Sequence, residues 1–377
     1  MFNISFPAKH SWNPLSKELQ DAVGFVAGSH FSPFIKAHIY TPASGVTASY
    51  QPASLPSAVT NVAARKQGRW IACVAGGYLS VYAFSTSTGF GSRSSHVAIT
   101  GVSYCCFSHD GSMLLVGTSS GYQIYDFNHG TGLGSLLTTA ASSVTGTIKN
   151  IAVSPDSDHF IVSGTGGSMI ERRSFDDLLG SGLTCATTPP AAGATYSSSG
   201  YNIAGNGICK LSGVCANGKS YYAYTSSRYC YYGLVNANGL GDPSVIDMAY
   251  SMRGVGFIPE YNFIAVGAAT DPEGRSQGAD LRLFALSDTP TDLDRNSNVS
   301  NYSCTGNGGS VGNDSNPGGA PWSVEWINSM SSLIVGIGYG WNNTRPFHSI
   351  GVASNGALSS QSYPTNQPKG VDSIDWF

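Results

Sequence analysis

Carboxylates and aromatic rings are the residues of this sequence whose types and spacing could do chemistry. Asp372 and Asp375 lie close together in VDSIDWF. Brought beside Asp247 or Glu325, they would offer the convergent oxygens that calcium requires. Asp271, Glu273 and Asp280 in DPEGRSQGAD form a second acidic group, but without the ordered ligand spacing of a helix–loop–helix calcium site they read as a solvated loop. His109 next to Asp110 has the composition of an acid–base pair, yet neither a G-x-S-x-G nucleophile motif nor HExxH accompanies it. The segment SYYAYTSSRYCYY sets Tyr229 and Tyr231 among four further tyrosines, and GYGWNNTRPFH contains Trp341 and Asn342. Strand alternation sends some of the tyrosines into core packing, the leading reading for each, and others outward. An exposed aromatic beside an amide suits stacking on a sugar or contact with a protein, so these four are the candidate binding residues. The eight cysteines are scattered, form no CxxC, and have no histidine at ligand spacing. They read as buried thiols, with Cys209 and Cys215 the nearest to a disulfide pair. No cofactor is implied.

The elements that must position these residues belong to a low-charge chain. Charged residues are 11% of 377, against roughly 25% in an ordinary soluble domain, while there are 47 glycines and 20 tyrosines. Net charge is −3 with no Lys/Arg run, which argues against a nucleic acid or an anionic membrane as partner. The N-terminus lacks the pattern of a signal peptide, and no apolar run approaches the roughly 18 residues of a membrane span.

The chain is a repeat. FSHDGSMLLVGTSSGYQIY from Phe107 overlies VSPDSDHFIVSGTGGSMIE from Val153 and VCANGKSYYAYTSSRYCYY from Val214 without gaps. The segments around Ala63, Phe257 and Trp326 fit the same template, and the turn is filled in order by Gln67, Asp110, Asp156, Asn217, Glu260 and Ser329. Each unit reads as a short strand, a turn, an apolar run ending near Gly, and an alternating strand such as YQIYDF. A glycine tag such as STGFGS then leads into a fourth strand. Four strands in about 40–50 residues is the period of a propeller blade. A seventh unit is split: His30–Pro56 has its later half, and VDSIDWF has the form of its missing first strand. The expected architecture is therefore an all-β, seven-bladed β-propeller of four-stranded antiparallel blades, closed by pairing of the N- and C-terminal segments. Residues 1–19 form an arm, and 20–377 form one propeller domain with loop insertions near 185–206 and 271–320. Asp372 and Asp375 would then face the central channel.

IYDF at Ile124–Phe127 and FSHDG resemble a WD repeat without its Gly-His opening. The aspartates in SHDGS and SPDSDH resemble the turn of sialidases but lack its following Thr-Trp, so they read as strand reversals. SPFIKAHIY, STGFGSR and PASLPSAV resemble repeats of structural proteins of tailed bacteriophages. That resemblance implies a non-enzymatic virion protein, made in the host cytoplasm and present in several copies. It would dock to other virion proteins or attach to a host-surface glycan or protein. Two other readings stand beside it, a glycan-binding propeller and a calcium-dependent channel hydrolase like the propeller lactonases; a cytosolic scaffold comes third.

Overall fold

Apolar runs bounded by turns build strands throughout the computed structural model. It describes residues 23–29, 32, 34–41, 45–53, 57–65, 70–142, 144, 146–165, 170–175, 208–226, 229–236, 239–248, 252–268, 280–303, 320–328, 331–338, 347–360, 371 and 373–377. The arm, the insertion near 185–206 and parts of the stretch 271–320 lie outside these residues.

The strands form seven sheets, each a blade. In chain order the innermost strands of blades 2 to 7 are Val59–Ala64, Tyr104–Phe107, Ile148–Val153, Cys209–Val214, Met252–Ile258 and Ala320–Ile327. The innermost strand of blade 1 is Ser373–Trp376, from the other end of the chain. These strands touch one another in cyclic order, so the sheets close into a seven-bladed β-propeller. Four strands are described in blades 1, 2, 3, 6 and 7, and three in blade 4. Blade 5 carries the extra strands Gly239–Leu240 and Leu293–Asp294, the latter parallel to Ser244–Asp247. Part of the stretch read as inserted loop is thus blade: Asp280–Ala285 and Ser300–Ser303 are the outer strands of blade 6. Its polar, glycine-rich composition hid the short strands.

The core is divided among the seams between blades. Seven apolar clusters each straddle one seam. Between blades 2 and 3, for example, Phe127 meets Trp70 at 5.6 Å and Phe107 at 4.8 Å, both edge-on. The repeated glycine after the apolar run belongs to this packing. A Cβ on Gly117 would lie 2.6 Å from Cγ2 of Ile148 in the next blade. The aspartates of the turns are structural. Asp110 Oδ1 accepts from the Ser108 hydroxyl (2.6 Å) and the Ser112 N–H (3.1 Å), and Oδ2 from the Ser112 hydroxyl (2.8 Å). Burial alone would raise the Asp110 pKa, but these hydrogen bonds to the carboxylate outweigh it and hold the group below its usual range.

Polar side chains fasten the inner strands to each other. Asn61 Oδ1 accepts the N–H of Cys105 at 2.7 Å, and Asn150 Oδ1 that of Cys209 at 3.3 Å. Across the closure, the Ser323 hydroxyl accepts the N–H of Ile374 and the Ser373 hydroxyl that of Val62, both at 3.2 Å. Closure is completed by the antiparallel register Phe25↔Trp376 to Gly28↔Ser373, with Gly24 and Phe377 exchanging backbone hydrogen bonds of 3.1 and 2.9 Å. Phe377 then packs on Phe84 of blade 2 at 4.8 Å.

His38 sits in the seam between blades 1 and 7 with no exposure, 4.9 Å from Phe25 and 5.6 Å from Phe347. Its Nδ1 shares a 2.8 Å hydrogen bond with the Ser49 hydroxyl, and its Nε2 has no partner. Burial, helped by Lys36, lowers its pKa to about 3.

Two outcomes are expected from urea unfolding. Asn61→Ala strands the buried Cys105 N–H and costs about 1–3 kcal/mol, more than Asn150→Ala, whose bond is longer. A cost no larger than that of an exposed serine-to-alanine change would remove the fastening role. His38 remains neutral in the folded chain while the unfolded chain takes up a proton below about pH 6.5. Stability therefore falls on acidification from 6.5 toward 3, by at most about 1.4 kcal/mol per pH unit from this group. His38→Phe should remove that slope, and an unchanged slope would assign the acid sensitivity elsewhere.

Candidate active site

The inner strands carry equivalent residues because their pairing to the second strands is equivalent. Asp375, Ala63, Cys106, Ala152, Lys210, Gly256 and Glu325 are paired with Val26, Ala72, Leu115, Ile161, Ala223, Ala265 and Ile334, respectively. These seven positions, one per blade, form a layer around the propeller axis. The layer is acidic on one side, small on the other, and holds one cation.

Lys210 of blade 5 donates from Nζ to Glu325 Oε1 of blade 7. The blade between them contributes Gly256, so no side chain intervenes. A Cβ there would lie 2.8 Å from the Val324 carbonyl oxygen. Both charged side chains are partly solvated, with Lys210 24% and Glu325 14% exposed. Burial would lower the lysine pKa, but the charge and hydrogen bond of Glu325, together with Asp375, outweigh it and raise it. The group is an ammonium throughout the neutral range. Among the described residues Glu325 Oε2 has no hydrogen-bond partner. Asp375 is built into the wall: its Oδ2 accepts the Ala64 N–H and its Oδ1 the Trp376 N–H, both at 2.9 Å. Tyr104, on the next layer of blade 3, has its phenol pushed well above its ordinary pKa, first by burial and then by Cys106, Cys209, Glu325 and Asp375. It remains a proton donor.

A cavity of about 320 Å3 runs beside these groups, along the later parts of the inner strands to the turns that follow, where His109, Pro155 and Glu260 border it. That volume suits one sugar-sized ring. A carboxylate with a free oxygen, an ammonium at the same carboxylate and a phenol donor can together deprotonate a water and stabilise a developing oxyanion.

The residues singled out from the sequence are distributed differently. Asp375 and Glu325 line the same cavity, whereas Asp247 lies on the outer strand Ser244–Asp247 of blade 5. Asp372, Trp341 and Asn342 are outside the described residues. Tyr231 is buried and stacked on Tyr224 at 4.8 Å with 14° between planes, and half-buried Tyr229 lies 6.1 Å from it. Tyr221, Tyr222, Tyr224 and Tyr232 are buried as well. These rings pack largely in the seams on either side of blade 5. Cys209 and Cys215 are buried free thiols. The channel carboxylates do not, among the described residues, form a calcium ligand set, since the Lys210 ammonium is bonded to Glu325 Oε1. Among the described residues, no three His, Cys, Asp or Glu side chains gather to hold a metal. Sequence reasoning missed Lys210 altogether; its only signal was a lone lysine opening a predicted inner strand.

No known family profile and no curated protein matches the chain. Solved structures do. A candidate 6-phosphogluconolactonase from Bacteroides uniformis matches with a TM-score of 0.69 at 14% identity, over 95% of this chain and 100% of its own. One from Bacteroides fragilis matches with 0.66 at 10% identity, over 97% and 100%. A periplasmic gluconolactonase from Pseudomonas aeruginosa matches with 0.63 at 13% identity, over 94% and 99%. At these identities the likeness establishes the seven-bladed propeller. It also overturns the expectation of a non-enzymatic phage structural protein. The architecture on which that expectation leaned is that of bacterial proteins named as lactonases, and none of the three is a phage protein.

Because Lys210 and Glu325 are held against each other, removing one leaves the other uncompensated. Urea unfolding of Lys210→Met, Glu325→Gln and the double variant should show the double costing less than the sum of the singles. Neighbouring charges couple by about 0.5–3 kcal/mol; additive losses would mean that the pair does not act as a unit.

Proposed function

We propose that the chain is a hydrolase acting in its central channel on a cyclic ester, a lactone. The observation that carries this reading is the Lys210–Glu325 pair, set across Gly256 beside Tyr104 and a cavity of about 320 Å3. The names of the three structural neighbours support the choice of a lactone among esters.

Glu325 Oε2 takes a proton from water as the water oxygen bonds to the carbonyl carbon. The carbonyl π pair moves onto oxygen, where the Lys210 ammonium and the Tyr104 phenol meet the negative charge. Collapse re-forms the carbonyl and breaks the ring C–O bond, and the proton held by Glu325 passes to the departing alkoxide. The product is an open-chain hydroxy acid. Water and substrate are the only reactants, so the step balances without a further group.

The test is base uptake in a pH-stat with δ-gluconolactone, measured above its spontaneous hydrolysis. Wild-type protein should accelerate opening, and Glu325→Gln should lower the enzymatic rate by about 100-fold or more, the usual size of a lost general base. Lys210→Met should reduce kcat with less effect on KM. A wild-type rate equal to the spontaneous one, or a Glu325→Gln variant that folds and retains full activity, would overturn the proposal.

A further inference from the structure

We infer that the channel selects substrates without an anionic group, and that it rejects a lactone bearing a phosphate. The inference rests on the proposed reaction for the word substrate, but its physical basis is the charge pattern of the inner layers.

Around the axis the charged layer holds one ammonium, Lys210, against two carboxylates, Glu325 and Asp375. The remaining positions of that layer, Ala63, Cys106, Ala152 and Gly256, bring no charge. The anchoring layer before it, with Asn61, Tyr104, Asn150, Ser323 and Ser373, brings none either. Glu260 adds a further carboxylate at the end of the cavity, where its Oε2 accepts from the Trp326 indole N–H at 2.7 Å. Recognition of phosphate uses charge-assisted donors, above all arginine forks or unpaired lysines. Here the ammonium that borders the cavity is already bonded to Glu325, and a phosphate dianion would face carboxylates on two sides. Arg65, whose Nε donates to the Gly111 carbonyl at 2.9 Å and whose Nη1 shares a 2.7 Å bond with His129 Nδ1, is spent between blades 2 and 3. Neutral hydroxyl groups meet no such repulsion and find carboxylate acceptors and the Tyr104 donor. The same pattern bears on turnover. Opening a neutral lactone creates a carboxylate inside an acidic layer, which favours release of the product.

Two readouts separate this inference from the reaction it rests on. Calorimetric titration with glucose and with glucose 6-phosphate, at equal and low ionic strength, tests charge selection without any turnover. Glucose should bind, and glucose 6-phosphate should bind at least about tenfold more weakly. Asp375→Asn should narrow the difference, and added salt should narrow it as repulsion is screened. In the pH-stat, kcat/KM for δ-gluconolactone should exceed that for 6-phosphogluconolactone by a similar factor. Equal or tighter binding of the phosphorylated sugar, or binding of neither, overturns the inference whatever the kinetics. Selective binding of glucose with no lactone opening sustains it and overturns the reaction alone.

Discussion

The hydrogen bond from an inner-strand side chain to the backbone N–H of the neighbouring blade is the contact on which the ring depends. Inner strands of adjacent blades splay apart and share no ladder of their own, so their outward N–H groups would be stranded beside the seam. A buried donor left without a partner costs about 1–3 kcal/mol, and a ring of such strands would repeat the loss at each seam. Asn61, Asn150, Ser323 and Ser373 each stand in the first half of their strand and reach the next strand at 2.7–3.3 Å. Asn61 also donates from Nδ2 to the Ser373 hydroxyl at 3.3 Å, so it ties the closing strand to blade 2 and blade 2 to blade 3. Two residues further along lies the layer that holds Lys210, Glu325 and Asp375. The anchors therefore set the phase of the charged layer.

This arrangement couples closure to the site. Asp375 arrives on the C-terminal strand, Glu325 on blade 7, Lys210 on blade 5 and Tyr104 on blade 3. None of these positions is near another in sequence except through the ring. Loss of the pairing Phe25↔Trp376 to Gly28↔Ser373 would leave Glu325 and Lys210 on blades free to separate. Precise placement of charge is what makes a low-dielectric site more effective than water, because nothing has to reorganise when charge develops. Closing the ring removes the open sheet edge and the conformational slack together.

The fold was legible because its signals are local and repeat. The turn aspartates, the apolar run ending in glycine and the tag glycine each do the same mechanical job in successive blades. Gly89 of STGFGSR has φ +80°, and a Cβ on it would fall 2.4 Å from the Tyr50 ring of the preceding blade. The words that resemble phage repeats are thus seam-packing words, and they carry architecture without carrying role. The site was less legible for the same reason. Asp375 was found because the closing strand drew attention to itself, and Glu325 was named as a carboxylate beside it, but Lys210 lies in KLSG, a strand that otherwise looks like any inner strand. Its pairing with Glu325 depends on Gly256, an absence of side chain that no periodicity announces. The tyrosines show the limit of the pattern: alternation tells which residues share a face, and only the neighbouring blade tells whether that face is covered.

Scarcity of charge gives the few channel groups their weight. With 11% charged residues in the chain, few ions lie near enough to compete with Lys210, Glu325 and Asp375 along the axis. Walls made of apolar seams lower the local dielectric and lengthen the reach of each charge. The effect is visible in opposite directions at two neighbouring groups. Lys210 is held protonated against the cost of burial, and Tyr104 is held protonated by the same carboxylates acting with burial. The channel thus keeps both its ammonium and its phenol protonated, next to a carboxylate with one free oxygen. Its donors keep their protons at neutral pH. Under the proposed reaction, a ring ester sets its carbonyl oxygen, an acceptor, against these donors and leaves Glu325 to a water.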